Sequence, residues 1–275
     1  MGNVLNIARK EFSDLVNNRY ILVVLALYFF MVAYAVYDVH NGSPGSSPDE
    51  SLFGLATSHY YMAIDFYGVL IGIVIGFMAV SSELRGNALN TLIVKPVYRD
   101  TIINGKFIGA LGYLVCLFIM ATMLYLSLLL VFFGASFGSI IPEFVMGTIP
   151  LFVASLAYVL IFFFLSMLLS IVTKGQSYAL ILSIFLFEIV DGNILSGIWV
   201  ILDSLGLADY SNMCNLVAEA TPFFINSELT SNILSHPTSI VSIFFPPDAN
   251  LVKLVLYVVV MIIICYIAFL RSDIS

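Results

Sequence analysis

Two carboxylates, Glu188 and Asp191, interrupt an apolar run that reads SYALILSIFLFEIVDGN. Three residues apart on a helix, they share one face. Counted from Tyr178 at 1.5 Å per residue, Glu188 would sit about 15 Å deep in a bilayer. A carboxylate at that depth costs about 2.5–3.5 kcal/mol on insertion scales, so it should face a cavity, a partner or another subunit. One reading makes the pair a polar lining of a path through the membrane, or a proton-titrating pair. The other ends the helix near Asp191-Gly192-Asn193, leaving Asp191 among headgroups and Glu188 protonated or hydrogen-bonded. The sequence leaves both open.

Other chemistries find little support. Gly105-Lys106 is followed by Phe107, and Asp100 stands where a phosphate loop needs its first glycine. Without that loop the chain should not bind ATP by itself. There is no H-E-x-x-H, and no Ser or His lies deep beside a partner, which argues against an intramembrane hydrolase. His40, His59 and Met62 lie near the ends of one polar segment but show no recurring ligand spacing, so no metal site is expected. Cys116 and Cys265 fall in apolar runs, and Cys214 is unpaired, so no disulfide framework is implied.

The elements that must carry these residues are apolar helices. The 275 residues are 61% hydrophobic and 10% charged, well outside the range of soluble domains. Runs of about 18 residues or more can cross a hydrocarbon core of roughly 30 Å. Six such runs are predicted: Tyr20–Tyr37, Tyr61–Val80, Phe107–Phe133, Thr148–Val172, Tyr178–Leu202 and Leu251–Leu270. They lack the two-residue alternation of barrel strands. The predicted fold class is therefore all-α, a polytopic membrane protein with one transmembrane domain over residues 1–275.

The net charge of −7 matters less than its distribution. With six spans both termini share a side, and nine of the ten basic residues then fall on it: Arg9, Lys10, Arg19, Arg85, Lys95, Arg99, Lys106, Lys174 and Arg271. Lys253 is the exception. The positive-inside rule makes that side cytoplasmic. No nucleic-acid partner is expected. Residues 3–19 are predicted to form a helix in the interface plane, with Val4, Leu5, Ala8, Phe12, Leu15 and Val16 within one arc and Ile7 and Glu11 at its border. A cleaved leader is the less favoured reading, although Ala33-Tyr34-Ala35 fits a small-x-small site. Asp38 to Ser58 reads as a flexible outer loop. Residues 203–250 read as outer interfacial or re-entrant helices, too broken by Pro and polar residues to span.

The polar island at 81–106, SSELRGNALNTLIVKPVYRDTIINGK, separates the second and third runs. Gly86 can end a helix, Pro96 breaks the segment after Lys95, and Asp100 can cap a new helix. A short surface helix between two breaks follows.

The residues here resemble a known family. Ala8-Arg9-Lys10-Glu11-Phe12 followed by Arg19 looks like the start of the ABC-2 class of ATP-binding-cassette permeases. Ser82-Glu83-x-Arg85-Gly86, Leu92, Lys95-Pro96-Val97-x-Arg99 and Gly105-Lys106-Phe107 resemble that class's first cytoplasmic loop. Leu84 and Arg85 depart from a pattern that usually has a second acid or glycine near Glu83. Small permeases of this length, including those serving copper-enzyme maturation, look most similar. The resemblance implies an interfacial elbow helix with Arg9, Lys10, Glu11, Phe12 and Arg19. It also implies a cytoplasmic coupling loop using Glu83, Arg85, Gly86, Leu92, Lys95, Pro96, Arg99, Gly105 and Lys106. Two permease subunits would pair in the lipid, and separate ATPase subunits would bind ATP and Mg and dock from the cytoplasm. The expected role is non-enzymatic, moving a substrate outward across the cell membrane. The competing reading is an ion-coupled secondary transporter using Glu188 and Asp191; against it, no internal repeat is evident.

Overall fold

The computed structural model describes residues 2–42, 52–85, 99–174, 176–190, 204, 219–235 and 250–271. Among the described residues all regular structure is helical. Five helical stretches are long and apolar enough to cross a membrane: Arg19–Asn41, Leu52–Ser81, Ile103–Phe133, Ile141–Val172 and Asn250–Arg271. The sixth expected run is described as a shorter apolar helix, Tyr178–Val190, and the remainder of the expected span to Leu202 lies outside the described residues.

Helix α1, Gly2–Asn17, is followed at once by α2, Arg19–Asn41. The joint is Asn18, whose extended backbone breaks the first helix and whose side chain accepts a hydrogen bond from the Tyr20 amide at 3.0 Å. This is N-cap chemistry: a side-chain oxygen satisfies an amide that the helix cannot. Arg19 therefore belongs to the first turn of α2 and not to the preceding helix, as residues 3–19 had suggested. The inward face of α1 also differs from the expected arc. Ala8, Glu11 and Leu15 are buried, while Leu5 and Val16 are exposed. The protein packs against the Ile7 and Glu11 border and leaves part of the apolar arc uncovered.

The next crossing begins earlier than Tyr61. Helix α3, Leu52–Ile64, runs into α4, Phe66–Arg85, through a single turn residue, Asp65. Residues from Leu52 onward are thus helical and not part of a loop reaching Ser58. The reason is local: Leu52, Phe53, Leu55 and Ala56 are apolar, and Ala56, Thr57 and Tyr60 are buried. The amide of Asp65 still bonds the Tyr61 carbonyl, and its carbonyl accepts from Val69, both at 2.8 Å. The backbone thus stays satisfied through the joint, as an apolar environment requires.

Helix α5, Arg99–Phe133, ends at Gly134, whose φ of +52° suits a residue without Cβ. A short helix α6, Ala135–Gly138, turns the chain into α7, Ile141–Val172. Pro142 occupies the first turn of α7, where its missing amide costs nothing, and Glu143 suits the positive end of the helix dipole. The turn at Thr173-Lys174 leads to α8, Tyr178–Val190, with Lys174 at φ +55°. Helices α9, Pro222–Ser235, and α10, Asn250–Arg271, complete the described structure.

Helix α7 is the central element, packed against α4, α8, α9 and α10. Its approach to α4 is set by Gly72 and Gly76, while Gly68, one turn earlier on the same face, has its tightest approach to Phe118 of α5. A Cβ on Gly72 would lie 2.7 Å from Val159 Cγ1, and one on Gly76 would collide with the Phe163 carbonyl oxygen. Lipid tails are as apolar as leucine, so close van der Waals packing through small residues holds such pairs together. Ser166 adds a bond across the same interface, its hydroxyl donating to the Ile73 carbonyl at 2.7 Å. We expect Gly76→Ala to destabilise the fold by about 1–3 kcal/mol, the usual cost of overpacking against atoms that cannot yield. Thermal unfolding in detergent should show a lower midpoint, whereas Gly112→Ala, which meets open space, should not.

Candidate functional site

At one end of the bundle one ammonium group joins three helices. Lys106 lies one turn into the apolar part of α5 and is 2% exposed. Its Nζ donates to Glu11 Oε2 of α1 at 2.9 Å and to the Ala79 carbonyl of α4 at 2.8 Å. The neighbouring glycines make this approach geometrically feasible. A Cβ on Gly105 would stand 2.6 Å from Ile7 Cγ2 and 3.1 Å from the Val4 carbonyl oxygen. A Cβ on Gly109 would stand 2.6 Å from the Ala8 carbonyl oxygen. Gly105 and Gly109, four apart, thus form the groove in which α1 lies. Phe12 packs edge-on against Tyr113, with centroids 5.6 Å apart, and continues the contact one turn further.

The site joins elements that are distant in the chain. Helices α4 and α5 are the two stems of the polar island, and α1 is the N-terminal segment. A charge-assisted bond is stronger than a neutral one and, in a buried setting, directional. Whatever moves the stem of the island must therefore move α1 or break the pair.

The sequence-predicted residues fall into three groups. Gly105, Lys106, Glu11 and Phe12 are brought together, but facing inward between helices and not toward solvent. Arg9 and Lys10 are exposed on the opposite side of α1, and Arg19 is exposed at the start of α2. Glu83 and Arg85 lie in the last turn of α4, and Arg99 is the first residue of α5. Gly86, Leu92, Lys95 and Pro96 lie outside the described residues. Glu188 is partly buried on α8, and Asp191 lies outside the described residues.

A second polar site lies further out and was not expected. Asp65, at the α3–α4 joint, is 2% exposed. It accepts a short hydrogen bond on Oδ2 from Asn226 Nδ2 of α9, an amide that also reaches the Tyr61 hydroxyl at 3.3 Å. Asn226 is fully buried. Two residues on, Glu228 accepts from Asn250 Nδ2 of α10 at 3.0 Å, and Lys253 Nζ donates to Asn250 Oδ1 at 2.9 Å. Helix α9 is thus tied by amide-to-carboxylate bonds to α3–α4 on one side and to α10 on the other. Counted from Leu52, Asp65 lies about 20 Å along its crossing. The available signal was an acid inside an apolar run; a predicted span starting at Tyr61 put it near the surface, where an acid is unremarkable.

Between these sites some polar side chains of the crossings bond across or along helices, while the buried hydroxyls of Tyr28, Tyr113 and Ser170 have no hydrogen-bond partner among the described residues. Tyr125 donates to the Ala56 carbonyl at 2.7 Å. Thr122 donates to Phe118 O at 2.9 Å, so Tyr60, 3.0 Å away, supplies the proton of the Tyr60–Thr122 bond. Among the described residues no group of three or more His, Cys, Asp or Glu is arranged to hold a metal ion.

Apolar crossings packed through glycines, with a polar node at the stems of the 81–106 segment, define a multi-pass membrane protein of helical-bundle type. The chain belongs to the ABC-2 family of transporter proteins, whose model matches residues 5–274. It is 32% identical over 109 residues to the probable ABC transporter permease protein NosY of Stutzerimonas stutzeri. That match spans 40% of this chain and 39% of the relative's length.

Breaking the Lys106–Glu11 pair should be costly, because it strands a buried charge. We expect Lys106→Met to lower stability by about 3–5 kcal/mol, and Lys106→Met with Glu11→Leu to recover most of that loss. A double-mutant cycle on detergent-solubilised protein measures it. Additive losses would show that the two side chains act separately.

Proposed function

We propose that this chain is the membrane subunit of an ATP-binding-cassette transporter, pairing with a second permease subunit and with separate ATPase subunits to move a substrate outward. The observation that carries this reading is the node at Lys106. It makes both stems of the 81–106 segment and helix α1 one mechanical unit. A docking loop is useful only if its displacement reaches the membrane helices, and Lys106, Gly105 and Gly109 supply that connection. Family membership and the NosY-like relative support the same reading.

In this account residues 178–202 complete a sixth crossing, and both termini and the 81–106 segment face the cytoplasm, as the basic residues favour. Helix α1 lies in the interface, with Leu5 and Val16 turned to lipid and Arg9 and Lys10 to headgroups. Glu83, Arg85, Gly86, Leu92, Lys95, Pro96 and Arg99 form the docking surface, with Gly105 and Lys106 behind it as the anchor. ATP and Mg are used by the partner, since the chain has no phosphate loop of its own.

The test is twofold. A P-loop ATPase should co-purify with the tagged chain from its native membrane, and transport by the assembled complex in vesicles should require ATP. Charge reversal at Glu83 or Arg85 should reduce transport at least tenfold while leaving membrane insertion intact and leaving the ATPase subunit able to hydrolyse ATP. Transport driven by a proton gradient in vesicles free of any ATPase would overturn the proposal.

A further inference from the structure

Beside Asp65 lies a cavity of about 180 Å³ lined by Tyr61, Met62, Asp65, Phe66, Tyr158 and Phe223. The lining comes from both sides of the α3–α4 joint, from the central helix α7 and from the first turn of α9. Four of the six are aromatic, and none of these described lining residues is basic. Asn226 holds the Asp65 carboxylate at the wall from behind. Met62 is half exposed, so the cavity opens at the side of the bundle.

We propose that this cavity binds an alkylated ammonium group, the charged end of an organic cation with an apolar body. The proposal deepens the transporter reading and rests on it for its physiological meaning: the ligand would be a substrate. The chemistry selects the class. A carboxylate at the wall disfavours an anion. An inorganic cation such as Ca²⁺ needs six or more oxygen ligands, and Mg²⁺ an octahedron of them; one carboxylate among aromatic rings offers neither. An alkylated ammonium asks for less: one counter-charge, and ring faces whose quadrupoles attract a diffuse cation. A carboxylate buried at membrane depth is also where function concentrates, because its insertion cost must be offset by what it binds.

The experiment uses the full chain in lipid nanodiscs, with empty nanodiscs as the blank, and measures equilibrium dialysis of benzyltrimethylammonium against its neutral carbon analogue neopentylbenzene. The native chain should bind the cation saturably and show no saturable binding of the neutral analogue. Asp65→Asn removes the charge while keeping an oxygen that can accept from Asn226, and should weaken cation binding about tenfold or more. Phe223→Leu keeps apolar bulk but removes a ring face, and should weaken it about threefold. It also serves as the deciding variant if Asp65→Asn does not fold. Equal saturable binding of the two probes, or native affinity in the folded variants, would overturn the proposal. Because no ATPase is present, these outcomes do not depend on whether the chain assembles with one.

Discussion

The structure depends on one constraint: polar groups inside an apolar bundle must be satisfied by the protein, because no water replaces a lost partner. Lys106 is the severest instance. Its ammonium is withdrawn from solvent, and it meets a carboxylate from one helix and a backbone carbonyl from another. Isolated, any of the three groups would be a liability. Together they fix where α1, α4 and α5 converge, and thereby fix the stems of the segment that faces the energy source in the proposed transporter.

Glycines make such polar contacts reachable. Gly105 and Gly109 let α1 approach α5 closely, and Gly72 and Gly76 do the same for α4 on α7. The two grooves serve different ends. The α4–α7 groove sits in the middle of the bundle and holds the core, with Ser166 bonded across it. The α1–α5 groove ends beside Lys106 and holds a peripheral helix in register with the core. Movement at the Lys106 end would pass through the second groove before it reached the first.

The crossings were legible because long apolar runs have few alternatives, and their observed positions agree within a few residues except at Leu52, at Ile141, which precedes the expected start at Thr148 by two turns, and at α8. The two polar sites were legible only in part. Lys106 belongs by composition to a charged island, and nothing local marks it as inward-facing; its partner stands 95 residues away. Glu11 sat at the border of an arc drawn for lipid, while the protein surface selects a different arc. Gly109 makes a close approach, whereas Gly112, three residues on in the same apolar run, meets open space. Asp65 was hidden inside a run whose start was placed too late. Glu188 drew attention because it sat deep in its run; its neighbour Phe187 packs against Phe66, next to Asp65, so the two acids flank the same ring contact.

The central claim of the proposed transporter reading is that α1 and the N-terminal end of α5 move as one body during the transport cycle. Pulsed electron paramagnetic resonance can test it on the assembled transporter, with spin labels at the exposed positions Lys10 and Ile108 in a cysteine-free background. The account predicts one distance distribution, unchanged between the nucleotide-free and ATP-bound states, which broadens or shifts when Lys106 is replaced by Met. A distance that changes with ATP in the unaltered chain would contradict it.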